Sequence, residues 1–204
     1  GYSTEIIRAV FKNLDQPIEI EVYPWKRALM RFREGDSDGL FTVGVSGERE
    51  QFAHYPPEPI VETEWLMWVR KMDGLKFDSW DDLRGKRVGV VRGYSYTDEF
   101  WRELDGRGSF EEAISDEINF KKLQLGRVDY VVAESGNGRY LLNKLGLDEI
   151  VSLDEKVIKR DRLHIIFNKQ NVPEDFVRQF SAELKRFKNT PAFHIIENRY
   201  CDEG

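Results

Sequence analysis

The sequence predicts an α/β fold, a mostly parallel sheet crossed by helices. Three observations predict it: apolar residues switch repeatedly between helical and strand spacing, short β-rich runs sit between amphipathic helices, and Gly, Asp and Ser punctuate the joins. A chain of 204 residues with 40% hydrophobic content is long enough for one large domain or two small ones.

The first helix is expected from a Ser3 cap, with Glu5 in its first turn and Ile7, Val10, Phe11 and Leu14 on one face. A strand is expected at Ile18, Ile20 and Val22, which alternate with Glu19 and Glu21 up to Tyr23-Pro24. Helical spacing returns with Trp25, Ala28, Leu29 and Phe32 and stops at Gly35. The turn Asp36 to Gly39 leads into a strand, Leu40 to Val43, and a polar Ser46–Arg49 loop. The apolar run Glu64–Lys71 is β-prone and broken at Asp73-Gly74.

The same rhythm continues beyond it. A short helix is expected at Ser79–Leu83, a strand at Arg87–Val91, and a helix through Phe100 and Trp101 that starts near Ser95. Phe120, Leu123 and Leu125 end at Gly126; the strand Val128–Ala133 and the helix Arg139–Leu145, stopped by Gly146, follow. Leu163–Phe167 reads as a strand, and helices are expected at Phe176–Phe187 and Ala192–Ile196. The runs Glu64–Lys71 and Leu163–Phe167 read as paired strands crossing between two lobes, residues 1–68 with 165–204 forming one and 69–164 the other.

Composition excludes several functions. A net charge of -6 and a pI near 5.3 argue against nucleic acid, which demands basic patches. No stretch approaches the roughly 20 apolar residues of a membrane span. Cys201 is the lone cysteine, so no internal disulfide is possible and cysteine usage does not report the compartment. His54, His164 and His194 are scattered, no metal-binding spacing occurs, and Ser135-Gly136-Asn137-Gly138 lacks the Gly-Lys-Ser/Thr end of a phosphate loop. No catalytic residue, metal or cofactor is assigned.

Three ordered blocks carry a resemblance: Gly39 to Pro59 (GLFTVGVSGEREQFAHYPPEP), Asp81 to Tyr96 (DDLRGKRVGVVRGYSY) and Leu123 to Ser135 (LQLGRVDYVVAES). Together with Tyr23 to Leu29 (YPWKRAL), they resemble the family 3 extracellular solute-binding proteins, and the likeness spans nearly the whole chain. The resemblance implies a two-lobed periplasmic-binding-protein-like (type II) fold with the ligand cleft between lobes. It implies an exported, periplasmic, monomeric protein that carries an amino acid or related carboxylate to the membrane permease of an ABC transporter; the same module also occurs as a sensor, and a few enzymes share it. Family members begin with a strand ahead of the first helix, and the resemblance places that strand before Gly1.

The resemblance also places the ligand. Arg49 stands where the family carries the arginine that receives a carboxylate, a role its planar fork of donors suits. Glu134 stands where the family carries an Asp for the ligand ammonium; a carboxylate there equally suits the cap of the following helix. Ser95 and Tyr94 occupy the turn that takes a carboxylate oxygen, with Tyr94 in place of a small hydroxylic residue. Gly44 replaces a Ser or Thr. Trp25 stands where an aromatic side chain stacks on the ligand, although its helical spacing suits the core equally.

Overall fold

The structure, a computed structural model, describes residues 1–201; the side chain of Cys201 and residues 202–204 lie outside the described part. Helix α1 (Tyr2–Asn13) buries Ile6, Ile7, Val10 and Phe11 at helical spacing. Its cap is Gly1 and not Ser3, because Tyr2 is already helical and the Gly1 carbonyl accepts from Glu5 N–H at 3.1 Å. The strand expected at Ile18–Val22 does not form. The segment carries no ladder: Ile18 and Ile20 pack at the edge of an apolar cluster, while Val22 is 92% exposed. Alternation put two side chains on the core without supplying a hydrogen-bonding neighbour.

Helix α2 (Trp25–Glu34) leads to β1 (Gly39–Val43), the single-turn α3 (Gly47–Glu50), β2 (Ala53–His54) and the long β3 (Val61–Arg70). A 3₁₀ turn at Trp80–Leu83 starts at Ser79, whose N–H donates to the Asp82 carboxylate at 2.9 Å, the reciprocal half of a capping box. Then come β4 (Arg87–Val91), α4 (Asp98–Asp105), β5 (Ser109–Ala113), α5 (Asp116–Gln124), β6 (Tyr130–Glu134) and α6 (Ser135–Leu145). The chain ends through β7 (Ile150–Leu153), β8 (Lys159–Asn168), α7 (Glu174–Phe187) and α8 (Pro191–Cys201). Helix α4 begins later than expected: Thr97 is its cap, accepting from Phe100 N–H at 3.0 Å, which leaves Ser95 in the preceding loop. Among the described residues, no helix is long and apolar enough to cross a membrane.

The chain divides into two units, Gly1–Tyr23 with Arg27–Glu62 and Arg162–Gly204, and Pro24–Lys26 with Thr63–Asp161. In the first, β8 pairs antiparallel with β1 and β2, and α1, α7 and α8 pack around a phenylalanine cluster. Phe180 is its centre, with ring centroids 5.3 Å from Phe11 and 5.2 Å from Phe167. The Ile60 N–H donates to the Leu163 carbonyl at 2.7 Å in this unit, and the Ile158 N–H to the Trp65 carbonyl at 2.9 Å in the other.

In the second unit, β3 pairs antiparallel with β6 and β7, and β4 lies parallel to both β5 and β6. Alternate residues of β3 enter opposite cores: Trp65, Met67 and Val69 join Phe77, Phe100 and Tyr130, while Trp68 joins Phe120, Leu123 and Leu141. A strand buried on both faces reads as the continuous apolar run seen in the sequence. Trp68 is held by an indole N–H donated to the Ala133 carbonyl at 3.3 Å, and its ring lies where Gly138 has no side chain; a Cβ there would sit 2.2 Å from it. Phe100 of α4 and Phe120 of α5 lie in those opposite cores, so the helices after β4 and β5 cover different faces of the sheet.

Candidate functional site

Two clusters hold the sequence-predicted residues, one in each unit. In the first unit β1 ends irregularly. Its register with β8 shifts between Phe41 and Val43, and Thr42 adopts φ 61°, a left-handed conformation uncommon for a residue other than glycine. The irregular end delivers Gly44 beside α3, which opens at Ser46 and carries Arg49. Arg49 is 7% exposed, and its Nη1 donates to the Gly44 carbonyl at 3.2 Å. The Tyr55 hydroxyl donates to the same carbonyl at 3.1 Å. Burial pushes the Tyr55 hydroxyl above its ordinary pKa, and the Arg49 guanidinium partly opposes the shift. Arg49 and Gly44 are thus brought together, with Tyr55 as a third member that sequence reasoning missed.

In the second unit, the C-terminal ends of three parallel strands converge. Helices leaving β4 and β6 depart to opposite faces, with Phe100 and Leu141 in different cores, and such a switch opens a crevice at the strand ends. Beyond β4 the chain turns at Gly93, φ 83°, a conformation that favours glycine. Trp25 packs against this turn, its indole N–H donating to the Gly93 carbonyl at 2.9 Å and its ring edge-on to Tyr94 with centroids 5.7 Å apart. Trp25 and Tyr94 are therefore neighbours. Ser95 lies next to them, its carbonyl accepting from Lys159 Nζ at 3.3 Å. Tyr96 belongs to the core, its hydroxyl accepting from the Val91 N–H at 2.8 Å.

Glu134, at the end of β6, caps the next helix: its carboxylate accepts from the N–H groups of Gly136 at 2.8 Å and Asn137 at 2.6 Å, and from the Thr63 hydroxyl of β3. The hub is instead a residue the sequence reading passed over. Asp116, the first residue of α5, is 4% exposed; its Oδ2 accepts from the Tyr94 hydroxyl at 3.2 Å and from Asn137 Nδ2 at 2.8 Å. Burial pushes its carboxyl up to about 7; the Tyr94 hydrogen bond lowers it, the Glu134 charge raises it and the Asn137 hydrogen bond lowers it. Burial likewise lifts the Tyr94 and Tyr96 hydroxyls well above their ordinary range. The only local signal was Ser115-Asp116, which reads as an ordinary helix start. Among the described residues, no group of three or more His, Cys, Asp or Glu is placed to hold a metal ion.

No family model matches the sequence, and no curated protein matches it. Solved structures do. An ancestral arginine-binding protein bound to arginine superposes with a TM-score of 0.84 at 20% identity, over 98% of this chain and 88% of that one. The substrate-binding protein of an amino acid ABC transporter gives 0.81 at 18% identity, over 100% and 88%. A histidine kinase sensor domain described as similar to periplasmic binding proteins gives 0.83 at 19% identity, over 98% and 86%. Likeness at this identity and coverage carries the architecture: the chain has the two-lobed α/β fold of the periplasmic binding proteins.

Proposed function

We propose that the chain binds a small polar ligand, an amino acid or related carboxylate, leaves it chemically unchanged, and passes it outside the cytoplasm to the membrane permease of an ABC transporter. The observation that carries this reading is Arg49: a buried arginine at an irregular strand end, set by a glycine carbonyl, has the donor geometry for a carboxylate. Trp25, Tyr94, Ser95 and Glu134 are proposed ligand contacts as well; within their own unit Trp25 and Tyr94 present aromatic surface and Glu134 a carboxylate. Two similar structures, an arginine-binding protein and an amino acid transporter component, support the ligand class.

A thermal-shift panel of the twenty amino acids and small carboxylates tests this, because a ligand bound only to the native state raises stability. At least one is expected to raise the melting temperature. Arg49→Lys is then expected to weaken that ligand about a hundredfold or more with the ligand-free melting temperature preserved, since lysine lacks the bidentate fork. Unchanged affinity in Arg49→Lys ends the role of this side chain. A second reading, a ligand-sensing module, is favoured by the histidine kinase sensor domain. Ligand-dependent kinase activity in a fusion would select it, and ligand-dependent stimulation of a permease's ATP hydrolysis would select transport.

A further inference from the structure

We propose that Asp116 is a ligand-contacting residue whose carboxylate is the counter-charge for a cationic ammonium on the ligand. The inference rests on the ligand-binding reading above and names the ligand class it takes, a protonated amine in preference to a plain carboxylate.

The two carboxylates of this cluster differ in what they bind. Both oxygens of Glu134 are engaged by the N–H groups of its own helix, and Thr63 adds a third donor. Asp116 is the reverse case. Its Oδ2 takes two donors, while its Oδ1 is buried with no hydrogen-bond partner among the described residues. A buried acceptor left open is uncommon and calls for a reason. Helix capping is not that reason, because α5 is already capped by Ser115, whose hydroxyl accepts from Ile118 N–H at 3.4 Å. The Asp116 side chain turns instead to Tyr94, after β4, and Asn137, after β6, so it lies between the segments that follow two neighbouring parallel strands, where ligands bind in open α/β sheets. Asn137 touches both acids, its side chain bonding Asp116 and its backbone bonding Glu134. The pair thus forms a doubly acidic site in which one oxygen is unclaimed. Tyr94, a partly exposed residue, donates to the other oxygen of the same carboxylate.

The charges around Asp116 give the assignment a signature. Tyr94 and Tyr96 stay neutral near pH 7, because burial raises both hydroxyls. Glu117 on the same helix is held down to about 2 by Lys121 and Lys144, and Glu134 faces Asp116 from β6. Asp116, pushed up to about 7, changes charge in the neutral range. A cation arriving there favours the ionised carboxylate, so binding below about pH 7 releases a proton and affinity climbs with pH.

The experiment screens wild-type protein against the twenty amino acids, putrescine and glutarate, then follows the strongest amine binder by calorimetry at about pH 5.5 and pH 8 in two buffers of different ionisation enthalpy. The expected result is an affinity about tenfold or more higher at the upper pH, with heats at the lower pH that depend on the buffer, as proton release requires. Asp116→Asn, of the same shape, is expected to bind at least about tenfold more weakly at pH 8 and to lose the pH dependence. Wild-type affinity and slope in Asp116→Asn overturn the assignment, as does a flat, buffer-independent wild-type profile if the variant does not fold. Binding of glutarate without any amine overturns it while leaving the carboxylate-binding reading in place. No binder in wild type overturns both.

Discussion

The two units bury polar groups in different ways. In the first, each buried polar side chain has a partner: His164 Nδ1 lies 3.0 Å from the Pro56 carbonyl, and Asn168 donates to the Phe32 carbonyl at 2.6 Å while its Oδ1 accepts from Gln170 N–H. Ser181 accepts from Glu58 N–H at 3.0 Å, and Arg49 donates to Gly44. In the second, the Trp65 indole nitrogen, Asp116 Oδ1 and both amide atoms of Asn119 are buried without a partner among the described residues. A satisfied network fixes structure; open buried groups lower stability and persist where the molecule gains something else from them. The contrast places the open buried groups in the second unit and leaves the first held by its phenylalanine cluster.

Three perturbations probe that contrast. The largest expected effect is in the first unit, where Phe180→Ala empties the centre of the cluster; a loss of about 3–5 kcal/mol is expected in denaturant unfolding. A loss under about 1 kcal/mol would mean that this core is not what holds the unit. Next is the pH dependence of the second unit. The Asp116 carboxyl is raised in the folded protein, so the native state holds its proton where the unfolded chain has released it. Its contribution is therefore full below about pH 4 and is lost as pH rises to about 7, on the order of 2–4 kcal/mol. Asp116→Asn removes this segment of the stability–pH curve, and an unchanged curve would refute the burial of that charge. The smallest effect separates two buried asparagines. Asn168→Leu strands the Phe32 carbonyl and the Gln170 N–H, with an expected loss of about 1–3 kcal/mol, whereas Asn119→Leu strands nothing and is expected to be neutral or stabilising by up to about 1 kcal/mol. Equal losses at both positions in thermal melts would erase the distinction between the units.

Much of this was visible in the sequence, for reasons that differ by element. The strands expected at Arg87–Val91 and Val128–Ala133 were legible because two-sided burial writes itself as short apolar runs, here Val88–Val91 and Tyr130–Ala133. Strand β5 was not, since Ser109-Phe110-Glu111-Glu112 exposes most of its side chains and its pairing depends on β4 alone. Segment Ile18–Val22 erred in the other direction, because alternation reports which side chains meet a core and is silent on backbone partners. At the site, Gly44 with Arg49 and Trp25 with Tyr94 do come together within their units. Asp116 was illegible because its importance comes from Tyr94 and Asn137, which are 22 and 21 residues away along the chain.

The absent side chain at Gly138 has a consequence for how this protein is free to change over generations. With the Trp68 indole filling the space a Cβ would occupy, any other residue at 138 forces a ring that is 1% exposed out of its packed position. The two positions are therefore yoked: a lineage that replaces Gly138 must already have traded Trp68 for something smaller. Among descendants of this sequence, a residue other than glycine at 138 is expected only where position 68 has become smaller.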